Sequence, residues 1–175
     1  MTATTTRTYL PRQPEPDRLF PIDHTPGLPI VFIAVSPDPR VPGLALIRRG
    51  GDGTLIEHEW PLATFGELDA AAAELCALLD GALIVALDPT PTVRYLSRVI
   101  MFASSTTVAP WSRRIFDVTF AAAAVVQRRP PFGPDVIQEL LTDRLGPVPM
   151  PTTAAEQARL TEVAYDAIYD PDRSN

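Results

Sequence analysis

Three carboxylates stand where this chain could do metal chemistry. Asp88 closes the apolar run 82–87 just before Pro89, Asp38 follows the apolar run 28–35 within Ser36-Pro37-Asp38-Pro39, and Glu156 lies in the first turn of a helical pattern. Carboxyl ends of neighbouring parallel strands converge on one sheet edge, so Asp38 and Asp88 could approach one another and offer oxygen ligands to a hard cation such as Mg²⁺ or Mn²⁺. A second reading gives Asp38 and Asp88 a local job, because an Asp beside a proline normally accepts from a nearby backbone N–H and holds a turn.

Arginines offer different chemistry. Arg94 and Arg98 fall on the helical pattern after Asp88, and Arg113 and Arg114 lead into a later strand, so the four could share a face that contacts phosphate while Tyr95 or Trp111 stacks on a base. The plainer expectation is solvated arginines paired with surplus acids. All fifteen basic residues are arginine, which reads as genome composition rather than selected guanidinium chemistry, and the net charge of −6 argues against gripping nucleic acid by bulk electrostatics.

His24 belongs to an aperiodic N-terminal stretch, and His58 sits between Glu57 and Glu59 on an exposed-looking strand, so both read as solvated. Cys76, the single cysteine, lies in an alanine- and leucine-rich helical run; no disulfide framework or cysteine-based metal site is available. Ser36, Ser104 and Ser105 lack the strand-turn-helix context of a serine nucleophile.

The elements that must position these groups follow from periodicity. Residues 28–35 form a continuous apolar run, the mark of a strand buried on both faces. Residues 44–49 and 54–60 flank Gly50-Gly51-Asp52-Gly53; β-type alternation follows that turn, so it predicts a hairpin whose glycines supply positive φ, not a phosphate loop. Phe65, Leu68, Ala72, Leu75, Leu78 and Leu79 recur at helical spacing behind a Thr64/Glu67 capping box, and Asp80-Gly81 stops them. Strand 82–87 and a helix carrying Val93, Leu96, Val99 and Ile100 come next, then a short strand at 113–118 and a helix at 119–127. Asp135 is expected to cap a helix ending at Gly146-Pro147, and Thr152 or Thr153 to cap a last helix ending at Asp170-Pro171.

This order predicts an antiparallel three-strand meander feeding a parallel β-α-β half: a mixed five-stranded α/β sheet flanked by helices, the ribonuclease-H-like arrangement. The expected organisation is an arm at 1–27, one domain at 28–170 and a tail at 171–175. With neither a signal-peptide pattern nor an apolar run of about 18 residues, a soluble cytoplasmic chain is expected, with no membrane association.

On these residues the chain resembles the DEDDh, or DnaQ-like, 3′-5′ exonucleases. Residues 85–96, Val-Ala-Leu-Asp-Pro-Thr-Pro-Thr-Val-Arg-Tyr-Leu, follow the hydrophobic pattern of that family's second motif, which usually carries His-Asn and a later Phe-Asp. Phe116-Asp117-Val118 is similar to its next landmark, and Thr152-Thr153-Ala154-Ala155-Glu156-Gln157-Ala158 keeps both alanines of its third. The resemblance puts Ile33, Val35, Thr92, Thr152 and Gln157 where the family has four carboxylates and a histidine.

What the resemblance implies is a scaffold stripped of its chemistry. Phosphodiester hydrolysis in the family needs two divalent cations about 4 Å apart, held by carboxylates that leave room for an attacking water. Apolar Ile33 and Val35 cannot supply that, and Thr152 is no general base. The expectation is therefore a non-catalytic binding or scaffold domain without cofactor, whose partner is a protein or a single-stranded nucleic acid or nucleotide in the old cleft, contacted by Asp88, Arg94, Tyr95, Arg98, Arg113 and Arg114. The alternative is a divergent metal-dependent exonuclease or phosphoesterase with relocated carboxylates at Asp38, Asp88 and Glu156.

Overall fold

Apolar residues on both parities of the first run leave it no exposed face, and it becomes the central strand, β1 (Ile30–Val35). A computed structural model describes residues 27–38, 40, 42–61, 65–103 and 115–169, without the side chains of 65–71 and 98–103. Around β1 lie β2 (Leu44–Arg49), β3 (Leu55–Trp60), β4 (Leu83–Ala86) and β5 (Ile115–Asp117), in the order β3-β2-β1-β4-β5. β1 pairs antiparallel with β2, and β2 with β3; β1 pairs parallel with β4, and β4 with β5. The meander and the parallel half stand as expected.

Five helices among the described residues cover the sheet: α1 (Phe65–Leu79), α2 (Pro89–Ala103), α3 (Val118–Val125), α4 (Asp135–Leu145) and α5 (Ala154–Tyr169). Strand alternation divides the core into two layers. Val31, Ile33, Leu44, Leu46, Ile84 and Ala86 pack with Ala72, Leu75 and Leu79 of α1 and Leu96 of α2. Phe32, Ala34, Ala45, Ile47, Leu83, Val85 and Phe116 face α3, α4 and α5. No helix among the described residues is long and apolar enough to cross a membrane.

Local chemistry explains the ends, and corrects three expectations. In the hairpin turn only Gly53 has positive φ (85°) among the glycines at 50, 51 and 53; at Gly51 a Cβ would lie 2.2 Å from the carbonyl oxygen of Gly27, so close backbone approach requires that glycine. Asp135 does not cap α4 from outside but is its first residue, its carboxylate accepting from the Gly133 N–H (3.1 Å) and pairing with Arg128 (3.0 Å). The helix after β5 begins at Val118, one residue early, because Asp117 is its N-cap and accepts from the Phe120 N–H at 3.0 Å.

At α5, Thr153 and Glu156 form the reciprocal capping box: the Glu156 N–H donates to Thr153 Oγ1 (3.1 Å), and Glu156 Oε2 accepts from the Thr153 N–H (3.2 Å) and the Thr152 N–H (2.7 Å). Gly146 ends α4 with φ 84°, and Gly81 follows α1 with φ 66°. The arm up to residue 26, Thr64, Ser104, Ser105, Trp111, Arg113, Arg114, Asp170 and the tail at 171–175 lie outside the described residues.

Candidate functional site

Parallel strands end together; after β1 and β4 the chain turns away through prolines, and after β5 it enters α3 directly, leaving a gap at the strand ends. The gap is a cleft of about 510 Å³. Its floor is Val35 at the end of β1 with Ser36 and Pro37, Leu87 and Asp88 after β4, and Asp117 at the end of β5; α2 contributes Pro91 and Thr92, α4 Ile137, and α5 Gln157 and Leu160. Phe132 and Met150, from the segments flanking α4, complete the wall, with Met150 53% exposed at its rim.

The cleft's polar groups are largely committed within the protein. Asp88 accepts from the Thr90 N–H (3.0 Å) as α2 begins, while the Thr92 hydroxyl donates to the Asp88 carbonyl (3.0 Å). The Thr119 hydroxyl donates to the Leu87 carbonyl, which ties the start of α3 to the end of β4. Burial pushes the Asp117 carboxyl above the usual range and the nearby Asp88 charge adds to the rise, although the N–H groups of Phe120 and Thr119 partly offset it. Two carboxylates on adjacent strand ends thus feel one another.

Against models of protein families, curated proteins and solved structures, the chain has no match. The site is therefore read from its own geometry.

Of the five positions where the resemblance expects ligands and a base, Val35, Thr92 and Gln157 line the cleft. Ile33 is fully buried in the layer under α1 and α2, and Thr152 is exposed, its hydroxyl donating to Glu156 (2.8 Å). The proposed metal set does not assemble. Asp38 holds its own turn, accepting from the Arg40 N–H at 2.9 Å; Glu156 is engaged by its capping box; neither lines the cleft. No group of three or more His, Cys, Asp or Glu among the described residues is placed to hold a metal ion.

Of the expected arginine face, Arg94 is exposed and Tyr95 packs half-buried on the α1/α2 layer, neither in the cleft wall, while the side chain of Arg98, and Arg113 and Arg114, lie outside the described residues. Cys76 is only half-buried, and burial raises its thiol pKa, which disfavours the nucleophilic thiolate. His58 does more than meet solvent: its ring stacks on Trp60 (5.3 Å), and Nδ1 lies 3.3 Å from Glu74 on α1.

Sequence reasoning named Asp117 only within a family landmark and not as a site residue. The rule that singled out Asp88, a carboxylate at the carboxyl end of a parallel strand, applies equally to the last residue of β5.

A carboxyl raised in the fold contributes stability that is fully present below its unfolded pKa and lost as pH rises through the folded value, so ionised Asp117 costs stability at neutral pH. Asp117→Asn keeps the cap and removes the charge; it should raise the melting temperature at pH 7, with the gain shrinking towards pH 4. Asp117→Ala, which loses the cap, should lie below the asparagine variant by about 1 kcal/mol. Thermal unfolding followed by circular dichroism between pH 4 and 8 reads the order, and an asparagine variant less stable than wild type at pH 7 contradicts it.

Proposed function

We propose that this chain is a ribonuclease-H-like domain of DnaQ-like descent that binds a partner in the cleft at its strand ends and does not hydrolyse phosphodiesters. The observation carrying this reading is the cleft itself, which three of the five positions named by the resemblance line without a carboxylate or a histidine: Val35, Thr92 and Gln157. The strand order β3-β2-β1-β4-β5 supports the same descent.

The residues present do not fit the family's pair of divalent cations. Two carboxylates line the cleft, Asp88 and Asp117, each already accepting a backbone N–H bond, where the resembled family's two-cation site carries four. Among the described residues no arginine or histidine lines it to meet a phosphate, and two carboxylates repel one. A protein partner therefore fits better than a single-stranded nucleic acid.

With short single-stranded DNA and RNA labelled at the 5′ end, and Mg²⁺ or Mn²⁺ present, no shortening above a protein-free control is expected. Titration of the same strands at low and high salt should show no saturable binding in the cleft. Metal-dependent shortening abolished by Asp88→Ala would overturn the reading in favour of a divergent phosphoesterase centred on Asp88.

A further inference from the structure

We propose that the cleft takes an organic cation on an apolar stem, an alkylammonium or guanidinium group belonging either to a free amine or to a basic side chain of a partner polypeptide. The proposal rests on the reading of the cleft as a non-hydrolytic binding site and names its ligand chemistry.

Hydrogen-bond direction sets the ligand's polarity. All three hydroxyls in the wall donate inward: Ser36 to the Asp38 carbonyl (3.2 Å), Thr92 to the Asp88 carbonyl (3.0 Å) and Thr119 to the Leu87 carbonyl. The N–H groups of Thr90 and Phe120 are taken by Asp88 and Asp117. What remains is mainly acceptor capacity, since an ionised carboxylate offers about four lone-pair sites and each of these two has used only part. A ligand that complements this wall must donate.

Charge and shape narrow the choice. An anion would face Asp88 and Asp117, and a neutral apolar molecule would strip water from both carboxylates and return nothing. A hydrated metal ion would make no use of Leu87, Pro91, Phe132, Ile137, Met150 and Leu160, whereas an alkyl stem buries against them. The Phe132 ring can also present its face to a cation. At about 510 Å³ the cleft lies in the usual range for small-ligand sites, roughly 300–1,000 Å³. The raised Asp117 carboxyl and the repulsion from Asp88 are both relieved by a bound positive charge.

The test is a titration of the full chain at pH 8 with hexylammonium, 1-hexanol and hexanoate, followed by amide chemical shifts in two-dimensional NMR. Hexylammonium should bind saturably and shift signals from 87–92 and 117–120, with the alcohol and the carboxylate producing no saturable change. Asp88→Asn and Asp117→Asn, which keep the turn and cap acceptors, should each weaken hexylammonium about tenfold. An acetylated Gly-Gly-Arg-Gly-Gly amide that binds more tightly than hexylammonium would support the proposal with a polypeptide as source, and the reverse order would support it with a free amine. Hexanol binding as tightly as hexylammonium, absence of saturable cation binding, or cation binding unchanged in both asparagine variants would overturn it. Failure of the underlying reading has a separate sign, metal-dependent shortening of single strands, which this titration does not measure.

Discussion

Arg49→Met is expected to cost about 3 kcal/mol of unfolding free energy, the low end of what breaking a buried ion pair costs, because some solvent still reaches the site. Arg49 ends β2, and its guanidinium forks onto α5: Nη1 donates to Asp166 Oδ1 (2.8 Å), and Nη2 to Asp166 Oδ2 (2.8 Å) and Glu162 Oε1 (2.7 Å). The three side chains are only 13%, 15% and 19% exposed, and the guanidinium lies 5.1 Å from the Phe32 ring centre. Burial works to lower the arginine's pKa, yet the two carboxylates outweigh it and raise the pKa overall, so Arg49 is cationic at every accessible pH.

Methionine fills much of the volume but strands two adjacent carboxylates near Phe32. That abandonment, more than the lost attraction, is the source of the cost. Adding Glu162→Gln and Asp166→Asn should recover most of it, and urea unfolding of the two variants reads the difference. A loss below about 1 kcal/mol for the single variant would mean that the carboxylates find water and that the pair behaves as a surface contact. The exposed Arg159–Glu57 pair, 61% and 54% exposed, is the natural control and should contribute almost nothing. Because α5 also brings Gln157 and Leu160 to the cleft, this fork holds one wall of the candidate site on the sheet.

Phe32→Ala should cost about 4 kcal/mol, within the roughly 3–5 kcal/mol typical of deleting a buried aromatic ring. Phe32 is fully buried in the middle of β1, opposite Ile47 on β2 and Val85 on β4. Its ring meets Tyr165 edge-on at 5.5 Å, and Tyr165 in turn meets Phe116 at 6.1 Å. Alanine there opens a cavity bounded by strand backbones that cannot close up, and it removes the ring beneath Arg49. For a chain of this length the loss corresponds to a fall in melting temperature of roughly 10 °C. Phe32→Leu, which retains most of the volume, should cost under about 1.5 kcal/mol. Equal losses for the two variants would show that ring geometry, not the cavity, dominates.

Much of the fold was legible in the residues because its signals are local. Apolar parity marked β1 and β4 as buried on both faces, alternation at 54–60 marked β3, and the glycine turn joined β2 to β3. Capping chemistry narrowed the start of α5 to Thr152 or Thr153, and the structure's Thr153–Glu156 box, built from contacts three residues apart, decided for Thr153. The ends of β5 and α3 were less clear. Asp117 is both the last residue of one and the cap of the other, and a three-residue strand leaves almost no periodicity to read.

The site was legible only in part, and the division has a physical cause. The residues alone determined the succession of strands and helices, the apolar character of Ile33 and Val35, and the placing of Asp88 at a strand end, since each depends on neighbours within a few positions. Tertiary structure decided which groups meet. It put Asp88 with Asp117, 29 positions along the chain, while Asp38 and Glu156 closed their own turns, and it joined Arg49 to Asp166 across a separation of 117. Such pairings are set by packing two helical layers on one sheet, and no spacing rule within a single sequence carries that distance.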